Sequence, residues 1–400
     1  MTYTSAAETI SQLAKQGHNS VVEYRHHLHR FPEVSEAEEQ TAAYISSRLD
    51  VLGIDHTSGI AGHGICGLID TGIEGPTVLL RADMDALPVT EQADLPYKSQ
   101  NDGVMHACGH DCHMAMLLGV ADVLNTMAQD AAAYGLQGKI KLVFQPAEEY
   151  PGGAKPMIDA GVMDNPHVDY CLGAHVWPEQ PEGKVSVTTG PMMAAMDRFD
   201  ITIKGKGGHA AKPHHCVDAL EIGTQVIAAM QRIISRKVDP LKPALLTVGE
   251  FKAGSAFNVI PGEAYLCGTL RTFDADIRAQ WQPLIRQVVE GVCASMGATA
   301  DILFRSGYPA VVNDAEVADI VRQAATAVLG EDAILHDQSM GGEDMAYFLE
   351  RAPGCFYFIG SGFDGCAPSH NPHFQVHDHI LQHGVEIMCR AAVVLLQHTK

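Results

Sequence analysis

The segment TVLLRAD (residues 77–83) is a short apolar run that ends in an arginine and an aspartate, and it predicts a buried strand. After a loop, MAMLLGVADVLNTM (114–127) has apolar residues at helical spacing. KIKLVFQ (139–145) and VDYCLGAHV (168–176) predict two further strands. Such alternation of strands and helices is typical of a largely parallel α/β sheet, in which binding sites lie at the carboxyl ends of the strands.

The pattern changes near residue 191. RFDITIKG (198–205) alternates apolar and polar residues, which is typical of a half-exposed strand. Periodicity then predicts, in chain order, a helix near 216–236, strands near 244–251 and 263–272, a helix near 275–296 and a strand near 299–305. This order, β-α-β-β-α-β, is that of a ferredoxin-like α+β unit.

The α/β pattern resumes after residue 306, with helices expected near 314–329 and 379–397 and a strand in CFYFIG (355–360). The sequence therefore predicts an α/β protein with two domains. A mostly parallel-sheet domain comprises residues 1–190 and 307–400, and a smaller inserted α+β domain comprises residues 191–306.

Composition excludes some partners. The chain of 400 residues contains 27 basic and 48 acidic residues, for a formal net charge of −21. Because binding to nucleic acid or to an anionic membrane requires a basic surface, we expect neither partner. The polar segment MTYTSAAETISQLAKQGHNS (1–20) predicts neither a signal peptide nor a transmembrane helix. The ten cysteines are scattered, which is typical of a reducing compartment, so we expect a cytoplasmic protein.

Five segments carry residues suited to metal binding or proton transfer, and four of them follow predicted strands. They are RADMDALP with Asp83 and Asp85, MHACGHDCH with His106, Cys108, His110 and His113, FQPAEEY with Glu148 and Glu149, GAHV with His175, and SHNPHF with His370 and His373.

Each segment alone has an ordinary explanation, because adjacent glutamates often start a solvated helix and a single histidine is more often a hydrogen-bonded residue than a ligand. A structural zinc site is disfavoured because the sequence has no Cys-x-x-Cys pair. Since the carboxyl ends of parallel strands converge, however, the five segments together predict one site with N, O and S ligands.

Two divalent ions about 3.5–4 Å apart can hold a water and an amide carbonyl oxygen, and they lower the pKa of the water to roughly 7. A carboxylate that is not a ligand would then serve as general base. The pair Glu148 and Glu149 offers one residue for each of these two tasks.

The motifs also resemble a known family. MHACGHDCHMAMLLG (105–119), FQPAEEYPGGAKPMIDAG (144–161), GKGGHAAKPH (205–214), NVIPGEAYLCGTLRTF (258–273) and GGEDMAYF (341–348) together resemble the aminoacylase/carboxypeptidase family of metallopeptidases. The resemblance is strongest to its amidohydrolase branch, which includes hippurate hydrolases, N-acyl-amino-acid deacylases and auxin-conjugate hydrolases. It extends from HHLHRFPE (26–33) to SHNPHF (369–374), nearly the whole chain.

This resemblance implies a metal-dependent amidohydrolase that cleaves the amide bond of N-acyl amino acids. It implies two divalent ions per chain, manganese or zinc, or else cobalt or nickel. The implied catalytic residues are Glu148 as general base and Asp85 as the residue that orients a metal-bound group. The implied metal ligands are Cys108, His110, Glu149, His175 and His370.

Two points about the implied ligands need comment: one position differs from other branches of the family, and one ligand has a rival. Asp83 occupies a position where other branches of the family carry a histidine ligand, so that Cys108 would compensate. His373 remains a rival to His370 for the last ligand position.

The inserted domain carries three further candidate residues. The resemblance implies a homodimer, or a dimer of dimers, in which His209 reaches the partner's active site and stabilises the oxyanion. The glycines before His209 are expected to permit a turn with positive φ. Asn258 and Arg271 are expected to contact the substrate, with the arginine pairing with its α-carboxylate.

Three other functions compete with the amidohydrolase. A dipeptidase or carboxypeptidase would need an unpaired carboxylate for the substrate ammonium group, and Asp344 is the candidate. A catalytically inactive binding homologue is disfavoured because every expected ligand and base position is filled. A hydrolase with Cys108 as nucleophile would not explain the glutamate pair or His175.

Overall fold

The computed structural model describes residues 3–398. It divides the chain into two compact units. The first unit contains the chain up to Gly190, together with Val312–Asp337 and the chain from Asp344 onward. The second contains Pro191–Val311 and Gln338–Glu343.

The helices described within these residues are α1 (Tyr3–Arg30), α2 (Glu39–Leu52), α3 (His110–Ala128), α4 (Ala131–Tyr134), α5 (Ala154–Asp159), α6 (Ala219–Lys237), α7 (Ala275–Ser295), α8 (Ala315–Leu329), α9 (Ala346–Leu349) and α10 (Ile380–Gln397). The strands are β1 (Asp55–Ile60), β2 (Gly64–Asp70), β3 (Thr77–Asp83), β4 (Lys139–Gln145), β5 (Tyr170–Pro181), β6 (Val185–Ser186), β7 (Gly190–Met193), β8 (Ala195–Lys204), β9 (Gly208–His209), β10 (Ala244–Ala253), β11 (Val259–Ile260), β12 (Glu263–Thr272), β13 (Thr299–Ser306), β14 (Val311–Asn313), β15 (Ile334–Leu335) and β16 (Gly354–Gly362).

The first unit is built on a large mixed sheet, whose described strands have the order β1-β2-β4-β3-β5-β16-β6-β15. The central strands β4, β3, β5 and β16 run parallel, whereas β1 and β2 form an antiparallel edge. The prediction of a largely parallel α/β sheet is confirmed. β3 is buried at every position, as its continuous apolar sequence predicts for a strand that is covered on both faces.

Successive side chains of a strand lie on opposite faces of the sheet, and one of the two sets on β3 packs into the main core. Val78, Leu80 and Ala82 of β3 lie in the same apolar cluster as residues of α1, α3 and α10. Among the described residues, α10 is the helix long and apolar enough to span a membrane by length and composition, and 72% of it is buried inside the structure. It packs against α1, α3 and α8, so it is a core helix of this unit.

The second unit contains a four-stranded antiparallel sheet of the described strands in the order β10-β12-β8-β13, together with the long helices α6 and α7. Along the chain these elements follow the order β-α-β-β-α-β. Phe199, Ile201 and Ile203 alternate on β8 and are fully buried, which confirms the half-exposed strand predicted from RFDITIKG. Asp218 and Asp274 cap the two helices by accepting hydrogen bonds from main-chain N–H groups of their first turns.

Candidate metal centre

The polar residues predicted at strand ends lie close together at the carboxyl edge of the parallel strands. Asp83 is the last residue of β3, and Glu148 and Glu149 follow the end of β4. His175 lies inside β5, which continues to Pro181 rather than ending near residue 176 as predicted. His110 begins α3, and all of these residues belong to the first unit.

A glycine allows the start of α3 to approach β5. Gly109 has a φ of 88°, and a Cβ atom at this position would lie 2.3 Å from Val176 Cγ2. Any side chain here would therefore push α3 away from the strand. The close approach brings Cys108 Sγ to 3.5 Å from His175 Nε2.

His110 presents one ring nitrogen to the site. Its Nδ1 donates to the main-chain carbonyl oxygen of Asp85 at 2.8 Å, which fixes the ring. Its Nε2 is buried and has no hydrogen-bond partner among the described residues. Burial lowers the pKa of His110, but the carboxylates of Asp83 and Asp85 outweigh that effect and raise it well above its usual value. The surroundings thus favour positive charge at this nitrogen, and a cation would supply it.

His113 has a supporting position. Its Nδ1 donates to Asp83 Oδ1 at 2.6 Å, and its Nε2 accepts a hydrogen bond from the main-chain N–H of Val176 at 2.9 Å. Because both nitrogens are engaged, the ring connects β3 to β5 and holds Asp83 in place.

Asp85 organises the turn that carries the two glutamates. Its carboxylate accepts hydrogen bonds from the main-chain N–H groups of Glu148 and Glu149, both at 3.0 Å, and from Ser35 Oγ at 2.7 Å. Burial raises the pKa of Asp85, but hydrogen bonds from His110 and Ser35 hold it below its usual value. Asp85 therefore orients the site through the main chain.

The same turn is held from a second side by Glu38. Ala147 has a φ of 54°, an unfavourable conformation for a residue with a side chain, and its N–H donates to Glu38 Oε1 at 2.8 Å. Glu38 is fully buried, and burial raises its pKa. Neither contact could be predicted from the sequence, because no local pattern indicates that Glu38 meets a turn 109 residues away or that Ser35 meets Asp85, 50 residues away.

His370 completes the cluster from the C-terminal part of the chain. Its Nε2 lies 3.1 Å from Glu149 Oε1, and its N–H donates to Ala107 O at 2.8 Å. Contacts with Cys108 and Glu149 raise the pKa of His370 to about 10. The rival His373 is exposed, and its main-chain N–H donates to Asn371 Oδ1.

The structure thus brings the five predicted ligands into groups whose donor atoms lie within 4.8 Å of one another. One group joins Cys108 to His110 and His175, and another joins Cys108 to Glu149 and His370. Nitrogen, carboxylate and sulfur donors in this combination suit zinc-like transition metals better than calcium or magnesium. Nε2 of His110 lies 3.8 Å from Asp83 Oδ2 and has no hydrogen-bond partner within residues 3–398, which also fits a metal ligand, since a buried nitrogen without a hydrogen bond is costly.

The structure contradicts the hypothesis that Asp344 binds a substrate ammonium group. Asp344 is fully buried and accepts hydrogen bonds from Arg81 at 2.9 Å, from Gln145 at 2.8 Å and from the N–H of Ala154 at 2.9 Å. The carboxylate is thus already paired with a cation inside the fold.

The three candidates from the inserted segment lie in the second unit. His209 is exposed, and its Nδ1 accepts a hydrogen bond from the N–H of Ala211 at 3.1 Å, so that Nε2 is the nitrogen that carries the proton in the neutral ring. Asn258 is also exposed. Arg271 is half-buried and donates to Met340 O at 2.7 Å.

The expectation of positive φ before His209 is wrong. Gly205, Gly207 and Gly208, all within the described residues, do not have positive φ values. They allow close approach instead, because a Cβ at Gly205 would lie 2.3 Å from Val217 O and one at Gly208 would lie 2.5 Å from Cys216 Sγ.

Comparison with known proteins identifies the family. The sequence pattern of peptidase family M20/M25/M40 matches residues 79–393. The chain belongs to this family. The resemblance predicted from the motifs is thereby confirmed, and with it the prediction of a hydrolytic enzyme that acts on amide bonds.

Individual members of the family are similar over most of the chain. An N-acetyl-L-cysteine deacetylase of Bacillus subtilis is 42% identical over 367 residues, which cover 92% of this chain and 85% of the relative. A thermostable carboxypeptidase of Saccharolobus solfataricus is 38% identical over 371 residues, covering 91% and 92%. The crystal structure of a Bacillus subtilis dinuclear metal binding peptidase from the M20 family is 34% identical, with a TM-score of 0.83 and coverage of 96% and 100%.

We predict that Asp85→Asn lowers kcat/KM by about 10–100-fold, as is usual for residues that orient ligands. The new amide nitrogen would face the N–H of Glu148 or Glu149, so that one of the two hydrogen bonds is lost. Steady-state kinetics and metal content per chain would measure the effect. Ser35→Ala is the matched control, because it removes one hydrogen bond to Asp85 without disturbing the turn, and it should cost less. Unchanged kinetics and metal content in Asp85→Asn would contradict this role.

Proposed function

We propose that this family member is a metal-dependent amidohydrolase that cleaves the amide bond of N-acyl amino acids, such as N-acetyl or N-benzoyl derivatives. The observation that carries the proposal is the cluster in which two sets of donor atoms share Cys108, next to a glutamate pair held by Asp85. The similarity to an N-acetyl-L-cysteine deacetylase supports N-acyl amino acids as the substrate class.

In this proposal Cys108, His110, Glu149, His175 and His370 hold two divalent cations, manganese or zinc, or else cobalt or nickel. Cys108 would contribute its thiolate to this ligand set, since it belongs to both donor groups. The ions would supply Lewis acidity, which polarises the amide carbonyl and acidifies the attacking water. The dinuclear relative from the M20 family supports the count of two.

Glu148 is the general base. It is 7% exposed, and it shares a donor group with His110 and Glu149, so its carboxylate lies beside the ligands. It would take a proton from the attacking water and deliver that proton to the leaving amine. The products are then a carboxylic acid and a free amino acid. Asp85 holds the main chain of Glu148 and Glu149 by accepting hydrogen bonds from both of their N–H groups.

We further propose that the catalytic domain comprises residues 1–190 and 307–400, and that the ferredoxin-like domain of residues 191–306 serves as lid and dimerisation domain. In a homodimer, or a dimer of dimers, His209 of one protomer would donate from Nε2 to the oxyanion in its partner's site. Asn258 and Arg271 would bind the substrate, with the guanidinium pairing with the α-carboxylate. A cytoplasmic location is part of the same proposal.

The main alternative is a dipeptidase or carboxypeptidase, and the carboxypeptidase relative favours it. This alternative requires a carboxylate to bind the substrate's free ammonium group. Asp344 was the candidate for this task in the sequence. Its carboxylate cannot bind a substrate ammonium group, because it already accepts hydrogen bonds from Arg81, Gln145 and Ala154. The loss of this candidate supports N-acyl amino acids, whose acyl part carries no free ammonium group, over dipeptides.

The substrate class can be tested with N-acetyl-, N-benzoyl- and indoleacetyl-amino acids assayed beside dipeptides. We expect turnover of the acylated compounds, loss of activity on chelation, and recovery on addition of manganese, zinc or cobalt. The dipeptides differ mainly by a free amine and serve as the internal comparison. Full turnover by metal-free protein, or turnover of dipeptides alone, would contradict the proposal.

The two glutamates should respond differently to the same substitution. Glu148→Gln should keep its metal but lose turnover by a factor on the order of 10²–10⁴, because only the base is removed. Glu149→Gln should lose metal affinity as well. Metal content by mass spectrometry, read together with kcat, distinguishes the two. The reverse pattern would mean that the base and the ligand are interchanged.

A mixed-dimer experiment tests the role of His209. Glu148→Ala and His209→Ala should each be nearly inactive alone, whereas His214→Ala, at a nearby exposed histidine, should be active. Random reassociation of the two inactive variants in equal amounts should restore roughly one quarter of the sites, because each heterodimer then has one site without a lesion. No recovery, with heterodimers verified by native mass spectrometry, would show that His209 does not act on its partner.

A further inference from the structure

A second group of metal-ligand residues lies on the surface of the first unit, separate from the proposed centre. Glu182 follows β5, and His377 and His379 immediately precede α10. Glu182 Oε1 lies 2.8 Å from His377 Nδ1, and its Oε2 lies 3.3 Å from His379 Nε2. Both imidazoles thus point at one carboxylate, and one donor atom from each residue lies within 4.8 Å of the other two.

The main chain around these residues is held firmly. The N–H of Glu182 donates to Gly362 O at 3.0 Å, which fixes the turn against β16. On the other side, the buried guanidinium of Arg25 donates to Val376 O at 2.7 Å and also binds the carboxylate of Asp378. The residues on either side of His377, Val376 and Asp378, are therefore held from inside the fold.

The ring of His377 is also restrained, while the side chains of both histidines stay accessible to solvent. His377 stacks on Phe363 with ring centroids 4.2 Å apart and an angle of 25°. The side chains of His377 and His379 are 49% and 58% exposed, so an ion could reach them from solvent.

We propose that Glu182, His377 and His379 form a third cation site, which takes zinc or a similar transition-metal ion. Two imidazoles and one carboxylate are a frequent zinc ligand set, and they leave a fourth position for water. Nitrogen ligands favour zinc, copper and nickel over magnesium and calcium. None of the three residues belongs to the donor groups of the proposed catalytic centre.

The distances fit this assignment. Zinc binds histidine nitrogen and carboxylate oxygen at about 2.0–2.2 Å, so neighbouring donors in a tetrahedral site lie about 3.3–3.5 Å apart. Glu182 Oε2 already lies at this distance from His379 Nε2, 3.3 Å. His377 Nδ1 lies 2.8 Å from the other oxygen, Oε1, so one ring or the carboxylate must shift for both nitrogens and one oxygen to bind the same ion. The proton that now joins Glu182 to each ring would be displaced by the ion.

Binding at this site would connect the turn after β5 to the end of the segment that carries His370. That segment runs from β16 to α10 without regular secondary structure, and the ion would add a link to the contacts of Arg25 that already hold its end. The site would supply no catalytic group.

Zinc content measured on the full-length chain tests this proposal. Wild type, His377→Ala/His379→Ala and Glu182→Gln would be equilibrated at the same buffered free zinc concentration, separated from unbound metal and analysed by mass spectrometry. The matched control is His214→Ala/His215→Ala, which removes two adjacent exposed histidines whose rings lie 4.1 Å apart.

We expect both cluster variants to bind one zinc ion per chain fewer than wild type, and the control to bind as many as wild type. Activity at saturating metal should be the same in all four proteins. Equal zinc content in wild type and the double variant, or in wild type and Glu182→Gln, would overturn the site. The difference in zinc content between wild type and the variants does not depend on how many ions the catalytic centre holds. A negative result would therefore overturn this third site and leave the proposed function untouched.

Discussion

At the carboxyl edge of the large sheet, several carboxylates lie in a region with little access to water, and buried negative charge is stable only when it is paired with a cation. Arg81 compensates part of it, since its guanidinium lies 2.8 Å from Asp83 and 2.9 Å from Asp344, with all three side chains at 1% exposure or less. Removing one partner from such a pair costs about 3–5 kcal/mol. The carboxylates of Asp85 and Glu149 face histidines instead, and our proposal assigns the remaining compensation to two divalent ions.

The same charges also determine the path of the main chain. Asp85 binds two consecutive N–H groups and Glu38 binds the N–H of Ala147, so three successive residues of one turn are held by buried carboxylates. Donor atoms of Glu148 and Glu149 lie within 4.8 Å of each other and of a ring nitrogen of His110, so both carboxylates face the same cluster. Asp85 and Glu38 thus position the turn, and its N–H groups stabilise their negative charge. In our proposal the chemistry belongs to other acids, Glu148 and Glu149.

Much of this arrangement could be predicted from the sequence. The features that could not be predicted were missed for physical reasons. β3 and β4 have the bounds that TVLLRAD and KIKLVFQ predict, because continuous apolar residues indicate a buried strand. The convergence of the candidate ligands could be predicted, since the carboxyl ends of parallel strands meet at one edge. The helix α1 was not predicted, because its buried residues, which include Ala6, Ile10 and Ala14, form a narrow stripe in a polar segment. Ser35 and Glu38 could not be predicted either, since their contacts depend on tertiary packing of distant segments.

The central claim of our proposal is that Cys108 is a metal ligand, and cobalt substitution tests it most directly. A thiolate bound to Co²⁺ gives a charge-transfer absorption that carboxylate and imidazole ligands do not give. Titration of metal-free protein with Co²⁺ should develop this absorption, and Cys108→Ser should abolish it, whereas Cys366→Ser, at another partly exposed cysteine, should keep it. Two bound cobalt ions without thiolate absorption in the wild-type protein would contradict the account.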